Sequence, residues 1–162
     1  MNVHIIGTGL LGTSLGLALT NAGHRVTLED LSPTAVNLAA DMGAGTRENP
    51  TDPDVVIVAA PPDVCAGIIV TALRTWPRAT VTDVASVKGA ILAQVREQTR
   101  ERELDRYIGS HPMAGREKSG AIAARGDLFT ASPWVVCSDE DTPKAVSYTH
   151  HRAHETLRYL VC

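Results

Sequence analysis

The chain has 162 residues, of which 44% are hydrophobic and 20% are charged, and its formal net charge is −3. This is the length of one ordinary globular domain, and the composition allows a buried core, which excludes a disordered or fibrous chain. The charges are spread along the sequence without a run of Lys or Arg, so we do not expect a nucleic-acid partner.

No stretch of the sequence has the length and apolar character of a membrane span, and the first residues lack the pattern of a signal peptide. We therefore predict a cytoplasmic protein without a membrane partner. The cysteines Cys65, Cys137 and Cys162 are odd in number and widely spaced, which indicates neither a disulfide framework nor a zinc site. No metal site is predicted.

Short apolar runs alternate with amphipathic segments along most of the chain. The runs predict strands at residues 3–6, 26–28, 55–60, 80–84, 107–108 and 134–137. The intervening segments predict helices at residues 11–22, 33–42, 64–74 and 88–102, the second of them with Ser32 as its N-cap. Such alternation is typical of a mainly parallel sheet with right-handed crossovers, so we predict an α/β fold of the doubly wound Rossmann type.

A glycine-rich turn joins the first predicted strand to the first predicted helix and reads Gly7-Thr8-Gly9-Leu10-Leu11-Gly12. In this pattern the first glycine permits the tight turn, the second lets the backbone approach a pyrophosphate, and the third allows close packing of helix on strand. The helix N-terminus then offers N–H groups and the positive end of its dipole to the anion. The spacing alone also fits a turn that binds nothing, but the flanking strand, helix and acidic residue favour a dinucleotide site.

An acidic pair, Glu29 and Asp30, follows the second predicted strand. We expect Asp30 to bind the ribose hydroxyls, because it directly precedes the turn into the next helix, and Glu29 is the alternative. A carboxylate at this position repels a 2'-phosphate, which favours NAD over NADP as the cofactor. The predicted cofactor contacts are Gly7, Thr8, Gly9, Leu10, Leu11, Gly12 and Asp30, together with Ala60, Pro61 and Ser86.

Two further segments, residues 83–89 and 109–117, each follow a predicted strand as loops. Ligands bind at the carboxyl ends of the strands in an open parallel sheet, so we expect Ser86 and His111, one from each segment, to meet there. The residues alone leave other interpretations open. A histidine in a loop is often a solvated or capping residue, and Ser86 is a suitable cap for a helix that begins near Lys88.

The glycine motif, the segment 83–89 and above all Ser110-His111-Pro112-Met113-Ala114-Gly115 resemble the prephenate dehydrogenase family, including its arogenate-using relatives. The resemblance covers about residues 1–137. It implies an oxidative decarboxylation in tyrosine biosynthesis, in which hydride passes from prephenate to NAD and the ring becomes aromatic to give 4-hydroxyphenylpyruvate. It also implies that His111 accepts the hydroxyl proton and that Ser86 hydrogen-bonds the histidine or the nicotinamide amide. Histidine suits this task because its unperturbed pKa is about 6.5.

The substrate contacts that the resemblance implies are Ser86, His111, Gly115 and Arg116. Among the basic residues, we expect Arg116 to pair with a substrate carboxylate, and Lys88 and Lys118 are alternatives. Each of these three side chains is equally typical of a solvated surface.

Members of the family have a largely helical C-terminal domain that forms the dimer and supplies basic residues for the substrate, and we expect this domain to be absent here. We predict that residues 1–146 form the NAD-binding domain with the catalytic histidine. Residues 147–162 are predicted to be an atypical tail that is not native to the family. This tail holds His150, His151 and His154 without the glutamate of an HExxH metal motif.

We therefore expect the chain to bind NAD but to turn prephenate over poorly, and its full-length parent to be a homodimer. Two alternatives remain open. The first is a different NAD(P)-dependent dehydrogenase or reductase, built on the same nucleotide-binding fold. The second is an NAD-binding module that is inactive on its own.

Overall fold

The computed structural model describes residues 1–114 and 120–137. These residues form a six-stranded sheet of β1 (Asn2–Ile6), β2 (Arg25–Glu29), β3 (Val55–Val58), β4 (Thr80–Asp83), β5 (Tyr107–Pro112) and β6 (Trp134–Cys137). The helices are α1 (Leu10–Asn21), α2 (Pro33–Asp41), α3 (Pro62–Thr75), α4 (Lys88–Gln98) and α5 (Glu101–Leu104), with a 3₁₀ helix at Ala121–Ala123. None of the helices in these two ranges is long and apolar enough to cross a membrane.

The strand order is β2-β1-β3-β4-β5-β6, with β1 to β5 parallel and β6 antiparallel to β5. The predicted doubly wound, mainly parallel fold is confirmed. Winding reverses between β1 and β3, and in sheets of this kind the ligand crevice lies at that reversal, outside the carboxyl ends of the strands.

The sheet carries an apolar core on each face. The core beneath α3 and α4 includes Val56, Val58, Cys65, Ile69, Leu73, Val81, Ile91 and Val95. The core beneath α1 and α2 includes Val3, Ile5, Leu15, Val26, Leu28, Ala39 and Ile57. Burial of the strands on both faces explains why they appear in the sequence as continuous apolar runs.

The third strand is shorter than its apolar run. β3 ends at Val58, so the predicted extension through Ala59 and Ala60 is wrong. The Ala59 N–H still donates to the Ile6 carbonyl at 2.7 Å. The chain then bends where it meets the glycine turn, since the Ala59 carbonyl oxygen lies only 2.5 Å from where a Cβ on Gly7 would stand.

The predicted single helix over residues 88–102 is wrong, because an extended step divides it into α4 and α5. Thr99 adopts φ −115° and ψ 157°, and its hydroxyl donates to the Val95 carbonyl at 2.7 Å. The Arg100 N–H then donates to the Glu103 carboxylate at 2.9 Å, which starts the second helix. Local side-chain bonds to the backbone therefore overrule the amphipathic pattern.

His111 lies on a strand and not in the predicted loop. β5 continues through Pro112, pairing in parallel with β4 as far as Gly109 and antiparallel with β6 over residues 109–112. His111 stands opposite Val135 in this second pairing. The loop prediction failed because the hydrogen bonds come from a strand that is distant in sequence.

The connection between β5 and β6 crosses to α1. In its described part, residues 120–133, the Arg125 N–H donates to the buried Ser14 Oγ at 3.1 Å. A Cβ on Gly126 would lie 3.2 Å from Asn21 Nδ2, so the connection approaches α1 closely. The strand that carries His111 is thereby anchored to the helix that follows the glycine turn.

A buried histidine on β1 is a feature that the sequence did not single out. His4 is 1% exposed, and its Nδ1 lies 2.9 Å from Thr27 Oγ1 and its Nε2 3.1 Å from Glu29 Oε2. A carboxylate only accepts, so Nε2 carries the proton and Nδ1 accepts from the Thr27 hydroxyl. Burial lowers the pKa of His4, and the opposing effect of Glu29 is smaller, so the neutral ring is the folded form.

This histidine gives a prediction for the pH dependence of stability. Below about pH 6.5 the unfolded chain takes up a proton at residue 4 that the folded chain does not, so the free energy of unfolding falls as the medium is acidified. We expect His4→Gln to flatten this slope between about pH 7 and 5, as measured by urea unfolding followed by circular dichroism. His24→Gln is the control: it keeps His4, so the fall in the free energy of unfolding that His4 causes should remain. An equal slope in His4→Gln and the wild type would contradict the prediction.

Candidate functional site

The glycine turn between β1 and α1 packs tightly against neighbouring backbone at Gly7 and Gly12 and is open at Gly9. Gly7 has φ +102°, and a Cβ there would stand 2.5 Å from the Ala59 carbonyl oxygen. A Cβ on Gly12 would overlap the Gly7 carbonyl oxygen. By contrast, a Cβ on Gly9 would meet no atom of residues 1–114 and 120–137 within 4 Å. Gly7 and Gly12 are thus required by the fold, whereas the part of the chain that the structure describes leaves the space at Gly9 open.

The N-terminus of α1 faces this open space. Gly9 is its N-cap, and the first intrahelical bond runs from the Thr13 N–H to the Gly9 carbonyl at 3.0 Å. The N–H groups of Leu10, Leu11 and Gly12 precede that bond, which is the position at which helical N–H groups lack an intrahelical acceptor. The turn therefore combines an open backbone with the positive end of a helix dipole, a suitable arrangement for an anion.

Asp30 joins the end of β2 to the glycine turn. Its Oδ2 accepts from the Thr8 N–H at 2.6 Å and from the Thr8 hydroxyl at 3.0 Å, and its Oδ1 accepts from the Ser32 N–H at 2.9 Å. Glu29 instead binds His4, on the sheet face that carries α3. The structure thus brings the Asp30 carboxylate to the glycine turn, whereas Glu29 contacts the turn through its backbone carbonyl, which accepts from the Gly7 N–H at 2.8 Å. Thr8 is fully buried beneath the turn, where it holds the Asp30 carboxylate.

Ala60 and Pro61 border the same crevice from β3. Ala60 is half-buried, and Pro61 is exposed and forms the N-cap of α3. With β3 ending at Val58, both lie just beyond its carboxyl end and beside the glycine turn. Their predicted contact with the cofactor stays a prediction.

His111 and the loop that carries Ser86 meet at the carboxyl ends of β4 and β5. The His111 ring is half-buried, and its Nδ1 lies 3.5 Å from the Val84 carbonyl oxygen, which belongs to the backbone of this loop. This is a long contact. Ser86 is exposed two residues further on. Val87, not Ser86, is the N-cap of α4, so the capping interpretation of Ser86 is wrong.

A buried polar cluster lies under this loop and was missed in the sequence. The Asp83 carboxylate is fully buried and binds the Lys88 ammonium, the Ala85 N–H at 3.0 Å and the Tyr107 hydroxyl at 2.7 Å. The Asp83 carbonyl accepts from the Ser110 hydroxyl at 2.8 Å. The sequence signal was an aspartate ending a buried strand, five residues before a lysine that opens a helix.

This cluster overturns both interpretations of Lys88. Its side chain is 18% exposed and ion-paired with Asp83, so it is neither a solvated surface residue nor a free partner for a substrate carboxylate. Burial, with a contribution from Asp83, raises the pKa of the Tyr107 hydroxyl, and the same causes raise the pKa of the Cys65 thiol to about 12. Tyr107 is therefore a hydrogen-bond donor at neutral pH, and Cys65 is a protonated core residue.

Several predicted residues lie outside the described ranges. Gly115, Arg116 and Lys118 fall in residues 115–119, and Cys162 and the three histidines of the predicted tail fall in residues 138–162. Their predicted roles stay predictions.

The comparisons with known proteins agree with this geometry. Residues 15–155 match the family described as prephenate dehydrogenase, nucleotide-binding domain. A probable prephenate dehydrogenase of Streptomyces niveus is 41% identical over 133 residues, which cover 82% of this chain and 36% of that protein. The match to the family reaches into residues 147–162, and the predicted boundary at residue 146 stays a prediction.

Solved structures of similar proteins share the fold. One is prephenate dehydrogenase from Aquifex aeolicus in complex with hydroxyphenyl propionate and NAD+, with a TM-score of 0.85 and 26% identity. The match covers 100% of this chain and 59% of the Aquifex chain. Synechocystis arogenate dehydrogenase has a TM-score of 0.87 at 24% identity, with the same coverage of both chains. The chain thus spans between about a third and three fifths of the length of these proteins. It belongs to the prephenate dehydrogenase family, of which it contains the nucleotide-binding domain.

Proposed function

We propose that this chain binds NAD and carries the proton-accepting half of a prephenate dehydrogenase site, which converts prephenate to 4-hydroxyphenylpyruvate. The observation that carries the proposal is the contact of His111 with the Val84 carbonyl, on the same carboxyl edge of the sheet as the open glycine turn. The Aquifex relative, whose structure holds NAD+ and a hydroxyphenyl compound, supports the choice of ligands.

The glycine turn fits the pyrophosphate of a dinucleotide. The free space at Gly9 admits the phosphate oxygens to the backbone, and the N-terminus of α1 supplies N–H groups and dipole. Asp30 already accepts three hydrogen bonds, and two carboxylate oxygens offer about four acceptor sites, so capacity for a ribose hydroxyl remains. When bound, NAD supplies the acceptor for the hydride, which no side chain of the protein provides.

His111 would take up the proton of the substrate hydroxyl. Its Nδ1 faces a carbonyl oxygen, which only accepts, so the contact favours the tautomer with a proton on Nδ1 and a lone pair on Nε2. As hydride leaves the ring carbon, the hydroxyl proton passes to Nε2 and a carbonyl forms. The bond to the ring carboxylate then breaks with release of carbon dioxide. Its electron pair makes the ring aromatic and moves the carbonyl electrons onto the oxygen, which takes the proton back from Nε2 and becomes the phenol hydroxyl.

Ser86 stands at the exposed tip of the loop that contacts His111. In this position its hydroxyl would bind the nicotinamide amide or the substrate hydroxyl, and would orient either one toward the ring of His111. We also propose that Arg116 pairs with a substrate carboxylate, and that the full-length parent is a homodimer in the cytoplasm.

A second candidate function is an NAD-binding module that does not turn substrate over alone. It is favoured by the coverage, since the chain spans 36% of the length of the Streptomyces relative. The test is NADH formation with prephenate, arogenate and simple hydroxy acids. It should be run on the chain alone and on a fusion of residues 1–137 with the remaining sequence of that relative.

We expect NADH formation with prephenate or arogenate from the fusion, and little from the chain alone. Equal turnover by the chain alone would remove the binding-module candidate. Turnover of hydroxy acids alone would assign the domain to a different dehydrogenase reaction.

Two glycines of the turn, Gly12 and Gly9, give a prediction that separates fold from binding. Gly12→Ala should lower the free energy of unfolding by at least about 2 kcal/mol, because its methyl group overlaps backbone. Gly9→Ala should stay within about 1 kcal/mol of the wild type, because its φ of −73° suits alanine and its methyl group meets no atom of the described residues. The same Gly9→Ala should weaken NAD binding about tenfold or more, as measured by calorimetry, because the methyl group occupies the phosphate space. Unchanged affinity would place the pyrophosphate elsewhere.

Asp30 gives a prediction about cofactor choice. The wild type should bind NADH more tightly than NADPH, because the carboxylate repels the 2'-phosphate. Asp30→Asn keeps the size of the side chain and removes the charge, so the ratio of the two dissociation constants should move toward one. Glu29→Gln removes the same charge one residue earlier and should leave the ratio unchanged, since Glu29 binds His4. A shift in the ratio only with Glu29→Gln would mean that Glu29, and not Asp30, lies beside the ribose.

His111 gives a prediction about chemistry. In the fusion, His111→Asn should lower kcat about a hundredfold or more, since general-base catalysis by a positioned side chain contributes about 10²–10⁴-fold. The dissociation constant for NAD should change less than about twofold, because the substitution removes a group that acts on the substrate. His24→Gln serves as the control for loss of a histidine. Parallel loss of NAD binding and turnover would assign His111 to the structure and not to the reaction.

A further inference from the structure

Asp83 stands out as a charged group whose burial the proposed reaction does not explain. It is 0% exposed at the end of β4, and its ion pair with Lys88 lies directly beneath the loop that contacts His111. Burying a carboxylate and an ammonium costs several kcal/mol per ion, and apolar residues of similar volume often do as well or better for stability. Stability alone therefore gives a weak reason for the pair.

The side-chain contacts of Asp83 lead to the loop after β4 and to strand β5, which carry the residues of the candidate site. Its Oδ2 accepts from the Ala85 N–H at 3.0 Å, which fixes the turn after Val84. The Val84 carbonyl in this turn is the group that faces His111 Nδ1. The Asp83 side chain thus sets the direction of the carbonyl that orients the imidazole.

The same residue also holds the strand on which His111 lies. Asp83 Oδ1 accepts from the Tyr107 hydroxyl at 2.7 Å, and the Asp83 carbonyl accepts from the Ser110 hydroxyl at 2.8 Å. Lys88 adds a third connection, because its Cδ lies 3.2 Å from where a Cβ on Gly109 would stand. A side chain at position 109 would separate Lys88 from β5.

We infer that Asp83 is a positioning residue, which holds the Val84 carbonyl and strand β5 in the arrangement that orients the His111 imidazole. Tyr107 and Lys88 complete the arrangement by occupying the two carboxylate oxygens. The inference rests on the proposed function only in stating why the ring is oriented, namely for His111 to accept the substrate proton. The orientation itself is measurable without turnover.

The test is the tautomer and chemical shift of the His111 ring, measured by long-range proton–nitrogen correlation spectra of the whole chain and assigned with His111→Asn. In the wild type we expect the tautomer with a proton on Nδ1 to predominate. Asp83→Asn keeps the size of the side chain but cannot accept all its hydrogen bonds, so the His111 signals should shift and lose that preference. Asp105→Asn, at an exposed position after α5, is the charge-matched control and should leave them unchanged.

His4 supplies an internal control in the same spectra. It is buried on β1, two strands away from β4 in the sheet, and its hydrogen bonds do not involve Asp83. Positioning predicts that His111 signals change while His4 signals stay. If Asp83→Asn does not fold, Tyr107→Phe tests the inference in its place, because it removes only the hydroxyl that donates to Asp83. We expect it to shift the His111 ring signals in the same direction.

Unchanged His111 signals in a folded Asp83 or Tyr107 variant would overturn the inference. So would a joint change at His4 and His111 in both variants, because it would indicate general loss of structure. In the fusion, Asp83→Asn should lower kcat about a hundredfold with the KM for NAD changed less than about twofold, the scale expected for a misplaced catalytic group. Absence of turnover in the wild-type fusion would count against the proposed function and leave the spectroscopic test intact.

Discussion

The site depends on the close approach of three backbone segments at Gly7. The carbonyl of Gly7 lies against α1 at Gly12, and the Ala59 carbonyl lies against Gly7 itself, so β1, α1 and the end of β3 meet with no side chain larger than the Ala59 methyl group between them. This approach places the N-terminus of α1 at the carboxyl edge of the sheet. The chain bends at Ala60, directly beside this approach, and β3 ends earlier than its apolar residues suggest. One steric constraint therefore sets both the anion site and the edge on which the other functional residues lie.

A second constraint comes from β5, which is the one described strand that pairs in parallel on one side and antiparallel on the other. This double pairing carries Ser110 and His111 beyond the last residue of β4 and fixes their opposite directions, as neighbours in a strand must have. Ser110 reaches the Asp83 carbonyl, and His111 faces Val84. A histidine on a paired strand is held more rigidly than one on a free loop, which suits a group that must meet a substrate at hydrogen-bond distance.

The sequence predicted the parts of the molecule that local chemistry decides. The glycine spacing gave the turn, Ser32 before Pro33 gave the start of α2 with its side chain accepting from the Ala35 N–H, and the position of Asp30 gave its place beside the turn. Two of the failed predictions depend on partners distant in the chain. The extension of β5 requires β6, more than twenty residues later, and the environment of Lys88 requires a carboxylate on one strand and a glycine on the next. Neither leaves a periodic signal in the sequence.

The buried polar groups around His4 and around Asp83 differ in their effect on the structure. His4 is neutral, accepts from Thr27 and donates to the exposed Glu29, so it costs little at neutral pH and is sensitive to acid. Asp83 is paired with a cation, and its hydrogen bonds are satisfied on every side that the structure describes. A satisfied network of this kind adds little net stability over apolar packing, but it tolerates few alternative arrangements, because each alternative leaves a buried charge unpaired. Its effect is therefore best understood as restricting the geometry of the loop and strand above it, at the point where a proton must leave the substrate.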